Sequence, residues 1–270
     1  MTQHHQSEPY ALITGASAGL GKEFARQLAA SGLNLVLTAR REEQLHELAR
    51  QLQQTHGIQA LVFPGDLANE DEPQRIFNFC QQNGIVIEWL VNNAGFGLPG
   101  EFDTHPWDMH KRTLQVMLTA PVHLCHLFYP GMKARGKGYI LNIASLAAFA
   151  PPTAGHTLYE AIKSFLVKFS QSLHLEGKDH GVHVTAVCPG FTYTEFHDVN
   201  GTREMVSRLP KSMWMHADEV VRLGIAAAQA NQDVCVTGGK NRFIAWLSSA
   251  LPDRWMRKLA GKQIQKYRKR

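Results

Sequence analysis

Seven short apolar runs separated by longer amphipathic stretches constrain the fold of this chain more than any other feature. The runs are YALIT, LNLVLT, ALVF, EWLVNN, YILNIA, VHVTAV and DVCVTG. Most are Leu-rich or β-branched and continuous rather than alternating, which is the pattern of strands covered on both faces. Helical patterns fill the intervals 20–31, 41–55, 70–83, 106–135, 156–178 and 217–230. Asn69, Asp71 and Glu72 mark one helix start, and His156 to Glu160 mark another. Strand–helix alternation of this kind predicts an α/β fold built on a doubly wound, seven-stranded parallel sheet with helices on both faces. At 270 residues, 44% of them hydrophobic and 19% charged, the chain suits one sizeable domain. It shows no internal repeat and no linker rich in Pro, Gly or Ser.

The first strand runs into TGASAGLG, which places Gly15, Gly19 and Gly21 at the corner where a helix begins near Leu20. Glycines let the backbone turn tightly and come close to a ligand, and a helix N-terminus offers unpaired N–H groups to a diphosphate. A glycine triplet alone could be a corner that binds nothing. Its place after the first strand of a Rossmann-like chain favours a dinucleotide. The second strand ends in LTARREEQL. An acid there would hold a ribose 2′-hydroxyl, whereas Arg40 followed by Arg41 favours a 2′-phosphate, hence NADP (NADPH) over NAD. The bland reading is that both arginines begin a solvated helix.

In TLYEAIKSFL, Tyr159 and Lys163 stand four residues apart, one helical turn, so a helix would carry both on one face. Taken alone the pair could be chance. Beside a bound nucleotide, an ammonium that stabilises the phenolate would lower the tyrosine pKa and make it a usable acid or base.

Five motifs in fixed order carry a family resemblance: TGASAGLG, NNAG at Asn92–Gly95, Ser145 in NIASLAAF, YEAIK, and PGFTYT at Pro189–Thr194. Over about residues 9–240 the chain resembles the short-chain dehydrogenase/reductase (SDR) family. That resemblance implies an NADP-dependent oxidoreductase moving a hydride between nicotinamide and a carbonyl or secondary alcohol. Tyr159 would be the general acid/base, Lys163 its partner and a ribose ligand, and Ser145 the group orienting the substrate oxygen. Gly15, Ser17, Gly19, Leu20 and Gly21 would wrap the pyrophosphate and adenosine ribose. Arg40 would meet the 2′-phosphate, Asp66 with Leu67 the adenine, and Pro189, Gly190, Thr192 and Thr194 the nicotinamide carboxamide. Asn93 would brace the sheet beside the cofactor. The family commonly forms dimers or tetramers through the helices corresponding to 106–135 and 156–178.

The chain departs from this pattern at two places. Met117 stands where the family places an Asn that helps hold a relay water, and a thioether is only a weak acceptor. Gln115 is near in sequence but two residues off, on another helix face. Either other groups rebuild the relay, or the chain is an NADP-binding, membrane-associated protein with little turnover. The Ser-to-Tyr interval is also one residue long, with PPTAGH as the extra turn, and Phe149 and His156 are candidates for the substrate wall.

After PGFTYT, the residues Phe196, Met205, Leu209, Met213, Trp214 and Met215 point to an apolar substrate, although such residues also serve as ordinary packing. The N-terminus lacks the apolar core of a signal peptide, and no run of 18 apolar residues exists. Cys80, Cys125, Cys188 and Cys235 have no CxxC or metal-ligand spacing, and the histidines show no HExxH pattern. The expectation is therefore a reduced, cytoplasmic protein without a metal. The basicity is concentrated in residues 241–270, with nine Lys/Arg against one acid, while residues 1–240 hold 19 bases against 22 acids. The chain thus divides into a catalytic domain (1–240) and an amphipathic basic tail (241–270). The tail either packs on the body or makes peripheral contact with an anionic membrane. No nucleic-acid motif appears.

Overall fold

The computed structural model describes residues 8–195 and 210–250. The seven expected strands form one parallel sheet: β1 Pro9–Thr14, β2 Asn34–Ala39, β3 Ala60–Pro64, β4 Val86–Asn92, β5 Gly138–Ile143, β6 Val182–Cys188 and β9 Val234–Val236. Their order is β3-β2-β1-β4-β5-β6-β9. Two strands that sequence reading missed, β7 Phe191–Tyr193 and β8 Trp214–His216, pair in parallel on their own. At three residues each they are too short to show a periodicity.

The helices are α1 Gly19–Ala30, α2 Glu42–His56, α3 Glu72–Gln82, α4 Trp107–Leu114, α5 Ala120–Arg135, α6 Thr157–Gly177, α7 Ala217–Gln229 and α8 Gly239–Ala250. Two apolar layers explain the continuous runs. On one face Phe24, Leu28, Leu45, Leu48 and Val221 from α1, α2 and α7 cover Ile13, Leu35, Leu37 and Val91. On the other, Ile76, Leu124, Phe128, Met132 and Leu166 from α3, α5 and α6 cover Leu12, Val36, Leu90 and Ile140. The central strands are thus buried on both sides, and the edge strands β3 and β9 are only partly so.

The helix expected over 106–135 is interrupted. Gln115–Thr119 form a π turn between α4 and α5, the kind of irregularity that tends to mark functional positions. It also alters the expected relation of Gln115 to Met117, because both are buried, along with Val116 between them. This segment packs on α6 as well as joining α4 and α5, and its exposure falls on Thr119 rather than on Gln115.

The sheet order reverses between β1 and β4, since the chain winds outward on either side of that pair. Ligands of open α/β sheets lie at such a switch, outside the carboxyl ends of the strands. The glycine corner after β1 and Asn93 after β4 both fall there.

Candidate active site

At the corner, Gly15 and Gly19 have φ of +66° and +53°, in the left-handed region that glycine adopts without strain. Gly21 is required for a different reason. A Cβ there would lie 2.2 Å from the Gly15 carbonyl oxygen and 2.5 Å from Asn93 Nδ2. Asn93 is the clasp of the corner: its Nδ2 donates to the Thr14 carbonyl at 2.9 Å and the Gly15 carbonyl at 3.3 Å. In return the backbone N–H groups of Asn93 and Ala94 both donate to Thr14 Oγ1 at 3.0 Å. The start of α1 has no side-chain cap, so its first N–H groups are available to an anion. A methyl group at Gly21 would therefore collide with the Gly15–Asn93 clasp that shapes the corner.

The β2 end contributes two cations with different orientations. Arg40 is exposed and acts electrostatically on Asp66. Arg41, which sequence reading set second, donates from Nε to Ser17 Oγ at 3.2 Å and meets Glu195 at 3.4 Å. Asp66 is held in turn by Arg112 of α4, whose Nη2 donates to Oδ2 at 2.7 Å, while the Ala68 N–H donates to Oδ1 at 3.0 Å. Burial works to raise the Asp66 pKa, but these two donors outweigh it and the carboxyl stays below its usual range. Leu67 beside it is buried. Arg112 lies 46 residues from Asp66, and no local pattern could have announced the pair.

The segment after β6 completes the rim. The Pro189 carbonyl accepts from the Leu146 N–H at 2.8 Å, and Thr192 Oγ1 donates to the Gly190 carbonyl at 3.0 Å. Gly190 backs onto Asn241 of α8 so closely that a Cβ would lie 2.4 Å from Asn241 Nδ2. Thr194 comes over the glycine corner, its Cβ 3.4 Å from the Cβ position of Gly19.

Ser145, Tyr159 and Lys163 converge at the ends of β5 and α6. Ser145 precedes a 3-10 turn, Leu146–Phe149, and its Oγ accepts from the Ala147 N–H at 3.1 Å. Tyr159 is hydrogen-bonded to Ser145 through their side chains. Lys163 is buried, with Nζ 5.6 Å from the Tyr159 ring centre and donating to the Ile143 carbonyl at 2.6 Å. The Tyr159 pKa is raised, because desolvation outweighs the Ser145 hydrogen bond. Lys163 is itself pulled down to about 8 by burial. The ammonium lies over the ring and bonds a carbonyl; the lowering of the phenol's pKa is an expectation for the pair beside a bound nucleotide.

Met117 is 1% exposed. Its Cγ and Cε lie 3.6 Å from the Cβ position of Gly95, in the NNAG motif. It occupies the expected Asn position as a packing residue of the core. All four cysteines are buried free thiols.

The fold brings Ser145, Tyr159 and Lys163 together, and comparison with known proteins makes the chain an NAD(P)-dependent oxidoreductase. The short chain dehydrogenase family model matches residues 9–204, and the chain belongs to that family. A very-long-chain 3-oxoacyl-CoA reductase of Anas platyrhynchos is 30% identical over 90% of this chain and 76% of its own length. The 17-beta-hydroxysteroid dehydrogenase type 3 of Mus musculus is 31% identical over 84% of this chain and 71% of its own. A short-chain dehydrogenase from Sphingobium yanoikuyae, solved in complex with NADPH, superimposes with a TM-score of 0.78 at 29% identity, covering 97% of this chain and 96% of that one.

Proposed function

We propose that the chain reduces the carbonyl of an apolar substrate with NADPH, Tyr159 giving the proton. The convergence of Ser145, Tyr159 and Lys163 carries this reading, with Tyr159 hydrogen-bonded to Ser145 and Lys163 Nζ 5.6 Å from its ring centre. A protonated phenol placed there is a donor for a carbonyl oxygen gaining negative charge. Ser145, bonded to the same phenol, would hold that oxygen beside it. Lys163, anchored on the Ile143 carbonyl, would bind the nicotinamide ribose and carry positive charge toward the phenolate left behind. When bound, NADPH would supply the hydride to the carbonyl carbon. Its phosphates fit the Gly15–Gly21 cradle, the 2′-phosphate the Arg40 and Arg41 cations, the adenine Asp66 and Leu67, and the carboxamide the Pro189–Thr194 rim.

Three things favour NADPH and an apolar carbonyl: the paired arginines, the relatives that act on 3-oxoacyl-CoA and steroids, and the NADPH complex of the similar structure. Tyr193 and Trp214 support the apolar reading, stacking with ring centres 4.8 Å apart where β7 meets β8. Phe196, Met205 and Leu209 lie outside the described residues. The weak-turnover alternative loses ground, because Met117 leaves Ser145, Tyr159 and Lys163 assembled.

We further propose self-association through α4, α5 and α6, where Trp107, Met109, Phe165 and Leu175 are exposed. For the tail, α8 packs on the body through Asn241 and Ala245 and leaves Phe243 and Trp246 more than 60% exposed. The apolar face expected from Phe243, Ile244 and Leu247 is therefore largely outward. With the basic residues beyond it, that face suits peripheral contact with an anionic bilayer. The segment 251–270 lies outside the described residues, and no helix among the described residues is long and apolar enough to cross a membrane. Buried free thiols suit a reducing compartment.

Titration of the protein with NADPH and NADH tests the cofactor assignment. Tighter NADPH binding that weakens in Arg40→Ala supports it, and tighter NADH binding overturns it.

A further inference from the structure

The turn between Ser145 and Tyr159 is the place where this chain runs one residue long, and a side chain of the catalytic helix grips it. The Thr153 N–H donates to Glu160 Oε2 at 2.9 Å, and the Thr153 hydroxyl donates to Glu160 Oε1. One carboxylate thus takes both donors of a single residue, from the position next to Tyr159. This is not an ordinary capping interaction. A capping-box acid reaches back to the N-cap residue, here His156, whereas Glu160 reaches three residues further, into the turn itself.

Two other ties hold the same turn. The Gly100 N–H donates to the Gly155 carbonyl at 3.1 Å, and Ser164 Oγ donates to the Ala148 carbonyl at 2.9 Å. Gly100 and Gly155 have φ of +135° and +91°, conformations that let the two backbones meet. The first bond joins the loop after β4 to the loop after β5 at the carboxyl edge of the sheet, and the second ties the Leu146–Phe149 turn to α6. The whole turn connects Ser145 to Tyr159 along the chain, so it borders the carbonyl site that the proposed function assigns to them.

We propose that Glu160 is a positioning residue for substrate selection. Its carboxylate latches the 150–156 turn to the catalytic helix and so fixes the wall against which a bulky carbonyl substrate packs. The longer turn and the acid next to the tyrosine then form one device. The carboxylate of Glu160 is taken up by Thr153, so it governs the fit of the carbonyl compound rather than proton transfer or cofactor binding.

The proposal rests on the carbonyl-reduction reading, and the experiment separates the two. Thr153 amide exchange and steady-state kinetics with NADPH and either 2-octanone or benzophenone are compared in the parent, Glu160→Ala, Glu160→Gln and Thr153→Ala. In Glu160→Ala, Thr153 exchange should rise about tenfold, as expected for loss of one to two hydrogen bonds. KM for the bulkier ketone should rise ~5-fold or more, while kcat and the KM for NADPH stay within about twofold. Glutamine retains an acceptor for the Thr153 N–H and an amide for the hydroxyl, so Glu160→Gln should behave as the parent. Thr153→Ala, which removes only the hydroxyl half, should fall between and keeps the test available if Glu160→Ala does not fold. Unchanged Thr153 exchange in Glu160→Ala, a glutamine variant as impaired as alanine, or a fall in kcat at constant ketone KM would overturn the proposal. If the parent reduces neither ketone, the reading of these ketones as substrates fails, and the exchange measurement still decides the latch.

Discussion

Lys163 lies over the ring of Tyr159, with Nζ 5.6 Å from the ring centre, and spends a 2.6 Å hydrogen bond on the Ile143 carbonyl. The pair shares one helix face, yet burial shifts the two groups in opposite directions, the phenol up and the ammonium down. Their pKa values therefore move apart, which leaves an acid that keeps its proton and a cation close to losing its own.

That cation should control the pH profile. With Lys163 at about 8, NADPH-dependent reduction should decline as pH rises through about 8, while Tyr159 is still protonated. Initial rates from pH 6 to 10 check this, and a profile flat to pH 10 would contradict it.

Carrying the buried ammonium also costs stability. Its folded pKa of about 8 lies below the ordinary 10.5. Between those values the unfolded chain binds the proton and the folded chain does not, so this group makes stability rise with pH across that window. At pH 7 the ammonium is retained at a cost. Lys163→Met should therefore stabilise the fold by roughly 1–3 kcal/mol, less the loss of its bond to Ile143, while abolishing reduction. A lower melting temperature at pH 7 would count against this account.

Met117 is part of the core, so restoring the family's asparagine should harm rather than help. Met117→Asn should cost about 2–4 kcal/mol, by analogy with other losses of buried side chains, and should not raise kcat. Chemical denaturation and steady-state rates read the two effects. A faster, equally stable variant would show that the missing amide limits turnover.

The glycine corner allows no added atom. In Gly21→Ala the new methyl would fall 2.2 Å from the Gly15 carbonyl oxygen, so NADPH affinity should drop by at least about tenfold through displacement of the cradle. Isothermal titration measures it, and unchanged affinity would refute the geometry.

Much of this was legible in the sequence because it is locally encoded. Continuous apolar runs mark strands covered on both faces, the three glycines mark a corner, and the YEAIK spacing marks one helix face. What escaped depends on contacts between distant segments. Arg112 on Asp66 and the Gly100–Gly155 tie have no local signature. Neither does the π turn at Gln115–Thr119, which buries Gln115 with Met117. The side of α8 that packs was out of reach for a related reason: apolar spacing marks a face, but the body accepts Asn241 and Ala245 and leaves Phe243 and Trp246 outside. The sign of the Tyr159 shift was likewise out of reach, since it depends on desolvation rather than on spacing.

The most direct test compares NADPH consumption by the parent and by Tyr159→Phe across a panel of apolar ketones and aldehydes, with NADPH affinity measured for both. The account predicts that the parent turns over at least one of them. The variant should bind NADPH as tightly yet run ~10²–10⁴-fold slower, the usual contribution of a positioned acid. Equal rates in the two proteins would show that the phenol at Tyr159 does not give the proton.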